Sequence, residues 1–67
     1  MSDFPFKEGD LLIDHAAETA EDKVGIIIDI DPSYDTIYFY ADVAYPHGIY
    51  EVEIPKGGSD ELEVISV

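Results

Sequence analysis

The chain has 67 residues, of which 16 are Asp or Glu and 3 are Lys, giving a formal charge of −13 with both histidines neutral. Apolar residues make up 46%, too many for an acidic tail that stays unfolded for want of surface to bury, and 3 basic residues against 16 carboxylates exclude a track for nucleic-acid phosphates. There is no cysteine, so neither a disulfide nor a thiolate metal site reinforces a core that, at this length, buries only about 60% of the unfolded surface.

One domain over residues 1–67 is expected. The N-terminus shows no basic region followed by an apolar stretch, so no export signal is expected. The longest apolar run, Val24 to Ile28, is far short of the ~20 residues of a membrane span. A cytoplasmic location is the resulting expectation.

Residues 1–8 read as a lead-in and Gly9-Asp10 as a turn. Leu11-Leu12-Ile13 is a short strand. Residues 15–22 are Ala-rich and acidic; Asp14 could cap one helical turn there, but so short a segment forms no helix alone, so an acidic loop with helical character is expected. Val24, Ile26, Ile28 and Ile30 alternate as the inward face of a half-buried strand, with Gly25, Ile27 and Asp29 opposite. The consecutive isoleucines also resist helix, because β-branching restricts their first torsion.

Asp31-Pro32-Ser33-Tyr34-Asp35 is a turn, Pro32 fixing one φ. The next strand, Thr36 to Val43, sets Ile37, Phe39, Ala41 and Val43 on one face and Thr36, Tyr38, Tyr40 and Asp42 on a partly wet one. Tyr45-Pro46-His47-Gly48 turns the chain. In the strand Ile49 to Ile54, Tyr50, Val52 and Ile54 point inward and Glu51 and Glu53 to water. Pro55 to Asp60 breaks the pattern, with Gly57-Gly58 as a hairpin turn, and Leu62, Val64 and Ile65 anchor a last strand reaching Val67.

Five short strands in so few residues predict an all-β fold, a small five-stranded, strongly bent antiparallel barrel that limits exposed edges. An oligonucleotide-binding barrel is the alternative, though it usually needs a longer chain. Phe6-Lys7-Glu8-Gly9-Asp10-Leu11-Leu12 resembles the opening of Src-homology-3-like and KOW-type barrels, and Lys23-Val24-Gly25-Ile26-Ile27-Ile28-Asp29-Ile30 is similar to their second strand, where glycine allows a sharp bend. Asp60 to Ser66 is similar to the last strand of small barrel proteins encoded by tailed bacteriophages. The resemblance implies a Src-homology-3-like barrel over nearly the whole chain. It implies no ligand: the Ala-Leu-Tyr-Asp-Tyr stretch and tryptophan of peptide-binding members are absent, and RNA-binding KOW modules are basic where this chain is acidic.

The carboxylates have a bland reading as solvation and protection of strand edges. A charge of −13 exceeds that purpose and its self-repulsion costs stability. The sharper reading is an acidic face for a basic protein surface. Glu51 and Glu53, and Glu61 and Glu63, each share one side of a strand; were the two strands neighbours, their row could mimic a phosphate backbone. Tyr38, Tyr40, Tyr45 and Tyr50 form a second candidate surface, since rings beside carboxylates hold Lys or Arg, against the alternative that they finish a small core.

Asp29 to Tyr40 superficially resembles a calcium loop, but Tyr34 and Tyr40 stand where Gly and Glu are needed, so neither a metal nor another cofactor is expected. His15 and His47 fall in loops with no local nucleophile arrangement, His47 reading as a turn residue. No glycine-rich phosphate loop is present. A domain this small has little room for a closed pocket of ~300 Å³. The expectation is a non-enzymatic interaction module with a basic protein partner and no direct nucleic-acid or membrane binding. The phage resemblance implies either an accessory protein acting on a host protein in the host cytoplasm or a virion decoration protein.

Overall fold

A computed structural model describes residues 6–31 and 36–67. The lead-in before Phe6 and the Pro32–Asp35 part of the turn, Tyr34 included, lie outside the described residues. Five strands, β1 (Leu11–Asp14), β2 (Val24–Asp31), β3 (Tyr38–Tyr45), β4 (Gly48–Pro55) and β5 (Leu62–Ile65), form one antiparallel sheet in the order β4-β3-β2-β1-β5. The all-β expectation holds. The acidic loop contributes a single helical turn, α1 (Ala20–Lys23). Asp14 does not cap it: its Oδ1 accepts the Ala16 amide at 3.0 Å, while Thr19 occupies the N-cap position and donates its hydroxyl to Asp22 at 2.8 Å.

The sheet is open, with β4 and β5 as its edges. It is curled enough that Ile54 and Pro55 of β4 line the same apolar cleft of ≈ 270 Å³ as Leu62 and Val64 of β5. Phe6 enters that cleft and meets Phe39 edge-on, ring centroids 5.5 Å apart. The core on the inner face is Phe6, Leu12, Ile27, Ala41, Val43 and Ile54, with Leu12, Ile27 and Val43 fully enclosed. Fully burying each such aliphatic side chain contributes about 1.5–3 kcal/mol.

β2 reverses the face assigned to it by its alternation. Gly25 and Ile27 are buried, whereas Val24, Ile26 and Ile28 are 41%, 48% and 40% exposed. Ile27 stands opposite Val43, and Gly25 opposite Leu12. A side chain at Gly25 would overlap Val43 Cγ1 and stand 2.9 Å from Tyr45 Cε1, so the position without a Cβ goes inward because Val43 and Tyr45 fill its place. Isoleucines on both faces leave alternation unable to choose, and the packing of the neighbouring strand decides. The register shift between Ile27 and Asp29 is a β-bulge that returns Ile30 to the inner side opposite Ala41.

β3 follows its expected pattern through Phe39, Ala41 and Val43, but Ile37 lies before the strand and is 62% exposed. Tyr50, expected inward, pairs with Val43 yet is 49% exposed, since β4 is an edge of the sheet with no neighbouring strand on its far side. The Gly9-Asp10 turn forms as expected. Gly9 takes a φ of +95° that a side chain would disfavour, and buried Asp10 accepts the Lys7 amide at 2.9 Å, the Lys7 ammonium at 3.0 Å and the Val67 amide at 3.4 Å. The Lys7 amide, then the Lys7 ammonium, hold the Asp10 carboxyl below its ordinary 3.8 against a smaller opposing effect of desolvation, with the Val67 amide adding to the lowering.

Candidate functional site

The residues marked as binding candidates separate onto three surfaces. The first is the outer side of β2, β3 and β4. Val43 and Ala41 point inward, so Ala44, Asp42, Tyr40 and Tyr38 point outward with the residues directly opposite them. Three rows result. Ile26, Ala44 and Ile49 stand in register across the three strands; beside them lie Asp29, Asp42 and Glu51; beyond these lie Asp31, Tyr40 and Glu53. Ile26 and Ile49 are 48% and 63% exposed. Directly opposed residues have Cβ atoms about 4.5–5.5 Å apart, and like charges there are destabilising. Tyr38 and Tyr40 sit together at the acidic end, centroids 6.5 Å apart. Glu51 and Glu53 are therefore neighbours of Asp42 and Tyr40. The sequence placed them correctly on one outward side but did not reveal that Asp29, Asp31 and Asp42 join them, because strand register alone brings them together.

Glu61 and Glu63 belong to a second surface. β4 and β5 are opposite edges of the sheet, not neighbours, so the combined row of Glu51, Glu53, Glu61 and Glu63 is corrected: β1, β2 and β3 intervene. Glu63 stands opposite Ile13 and pairs with His15, Nε2 to Oε1, at 2.9 Å.

The third surface contains Tyr45 and Tyr50. With His47, Asp14 and Asp22 they line an open cleft of ≈ 380 Å³. Tyr45 rests on the bare backbone of Gly25, and the tight β3–β4 turn carries His47 back over it, the two rings parallel within 4° with centroids 5.8 Å apart. Tyr50 completes the cluster, 6.2 Å from Tyr45 and 5.2 Å from His47 between centroids. His47 bonds through Nδ1 to the Tyr50 hydroxyl at 3.1 Å and through Nε2 to the Asp22 carboxylate. Asp22, also bonded by the Thr19 hydroxyl, has its carboxyl held below the ordinary 3.8, first by Thr19 and then by His47. Partial burial, then the charges of Asp14 and Asp22, push the Tyr45 hydroxyl above its ordinary 10.0.

Sequence reasoning missed His47, Asp14 and Asp22 as members of a site. His47 does lie in the turn, as expected, but its partner Asp22 is 25 positions away, and no local spacing signals such a contact. Among the described residues no group of His, Asp and Glu is arranged to hold a metal ion, and no helix is long and apolar enough to cross a membrane. The chain matches no known family model, and no curated protein or solved structure is significantly similar to it.

Proposed function

We propose that this protein is a non-enzymatic interaction module that docks a basic protein surface on the outer side of β2, β3 and β4. The observation that carries the reading is the registered row Asp29–Asp42–Glu51 beside the exposed row Ile26–Ala44–Ile49. Opposed like charges and half-exposed isoleucines each work against an isolated domain. A cationic partner with an apolar ridge would relieve both at once. Its Lys and Arg side chains neutralise the carboxylates, and its apolar groups cover Ile26 and Ile49. A net charge of −13 speeds approach to such a partner and repels a second copy.

The antiparallel path supports a Src-homology-3-like fold for the module: the last strand returns to the first, and both edges share one apolar cleft. The resemblance in sequence extends the proposal to an accessory protein of a tailed bacteriophage, acting on a host protein in the host cytoplasm.

Capture from host lysate at low and high salt tests the docking face. The bait is the wild-type chain, a Glu51→Lys/Glu53→Lys variant, and a Glu61→Lys/Glu63→Lys variant changed on the opposite edge. The expected result is a basic protein retained at low salt by the wild type and the β5 variant, and lost from the β4 variant. Equal loss from both variants, or retention by both, refutes the assignment to this face.

A further inference from the structure

We propose that the cleft between α1 and the β3–β4 turn is a receptor for a guanidinium group, taking the side chain of an arginine. The cleft lies at the inner side of β3, on Tyr45, whereas the docking face is on its outer side, on Asp42 and Ala44. The inference therefore goes beyond the docking reading and stands without it.

Three properties of the cleft select this ligand. Its walls are aromatic, with Tyr45, His47 and Tyr50 mutually within 6.2 Å between centroids, and a cation placed over tyrosine faces is attracted by their ring quadrupoles. Its charge is negative, from Asp14 and Asp22. Both carboxylates act at the same place, since both raise the Tyr45 hydroxyl.

Its hydrogen-bonding capacity is also unevenly committed. Asp22 has one oxygen on His47 and the other on Thr19. Asp14 has Oδ1 on the Ala16 amide, and its Oδ2 has no hydrogen-bond partner among the described residues. Asp14 is thus the carboxylate with an oxygen left for a ligand donor, while Asp22 contributes charge and fixes the His47 ring. A guanidinium suits this division. Its plane stacks on a ring while its N–H fork reaches a carboxylate, and it sheds water more readily than an ammonium, whose compact charge has no flat face to stack.

The test is a titration followed by NMR, using N-acetyl-arginine methylamide as the probe, with the lysine analogue and the uncharged citrulline analogue as controls. The full 67-residue chain is used throughout. Saturable shifts are expected at Tyr45, His47, Tyr50 and Asp14 with the arginine probe. Citrulline should bind at least about tenfold more weakly, since it keeps the shape but lacks the charge that strengthens a hydrogen bond to a carboxylate. Asp14→Asn should weaken the arginine probe by a similar factor, and Tyr50→Leu, which keeps apolar bulk, severalfold. Unchanged spectra away from the cleft would show that both variants remain folded.

Shifts that rise without saturation and spread over all surface carboxylates would overturn the proposal, as would citrulline binding as tightly as arginine. Lysine binding equal to arginine would overturn the choice of guanidinium. An Asp42→Asn variant, altered only on the docking face, should bind the probe like the wild type, so failure of either reading is separately visible.

Discussion

Tyr45 lies directly on Gly25: a β-carbon at that glycine would stand 2.9 Å from Tyr45 Cε1 and 3.0 Å from its Cζ, and would overlap Val43 Cγ1. One missing side chain thus joins two levels of the structure. It lets Val43 fill the core, and it seats the ring from which the cleft is built. Gly25 is needed here for room, since its backbone does not take the left-handed conformation of Gly9. The break in the β2–β3 register falls after Ile27, not at Gly25.

Gly25→Ala should destabilise the domain by about 1–3 kcal/mol, the range for overfilling a packed core, measured by urea unfolding. Val43→Ala in the same chain removes the overlapping methyl, so the double variant should lose less than the sum of the two single losses. Strict additivity would show that Val43 and Gly25 do not share this space.

The reversed face of β2 gives the plainest comparison. Ile27→Ala removes an enclosed side chain and should cost about 2–5 kcal/mol. Ile26→Ala removes a half-exposed neighbour and should cost about 1 kcal/mol or less. The whole stability of a domain this size is on the order of 3–10 kcal/mol, so the first change should leave a substantial unfolded fraction and the second should not. The opposite ranking would restore the face expected from alternation.

What the sequence made legible follows the range of each interaction. The strands, the Gly9-Asp10 turn and the outward glutamates depend on residues within a few positions, and their signals are correspondingly clear. The face of β2 depends on Val43 and Tyr45 across the sheet. The cleft depends on Asp22 meeting His47, and the acidic rows depend on which strands are neighbours. None of these contacts leaves a mark in local periodicity. The bulge hides the face further, because it shifts the pattern midway through a strand whose isoleucines suit either side.

Asp10 and Asp22 both have folded carboxyls below their ordinary 3.8. A depressed folded value stabilises the fold above the unfolded value, and that contribution is lost as pH falls through the folded one. The stability difference between wild type and Asp10→Asn should therefore be full near neutrality and shrink as pH drops below 3.8. Thermal melts of the two proteins across that range measure it. A difference that grows in acid would contradict the Lys7–Asp10 contacts as its source.

His47 ties the β3–β4 turn to α1 through Asp22 and to β4 through Tyr50. α1 has only one turn and no buried residue, so it cannot hold itself in place. His47→Ala should speed amide hydrogen exchange in residues 19–23 severalfold while leaving Leu12, Ile27 and Val43 protected. Unchanged exchange in α1 would mean that the contact with Asp22 does not anchor it.

Asp42 offers a test of whether the charge serves binding or only solubility. It is the middle carboxylate of the Asp29–Asp42–Glu51 row, so Asp42→Asn removes two like-charge oppositions at once. Each opposition is worth roughly 0.2–1 kcal/mol, and the variant should melt higher than the wild type. Raising salt to ~0.15 M shortens the screening length to about 8 Å, and should stabilise the wild type more than the variant. If Asp42 serves docking, the variant that gains stability should also release the basic partner at lower salt. Gained stability with undiminished partner binding would assign the row to solvation and remove the foundation of the docking face.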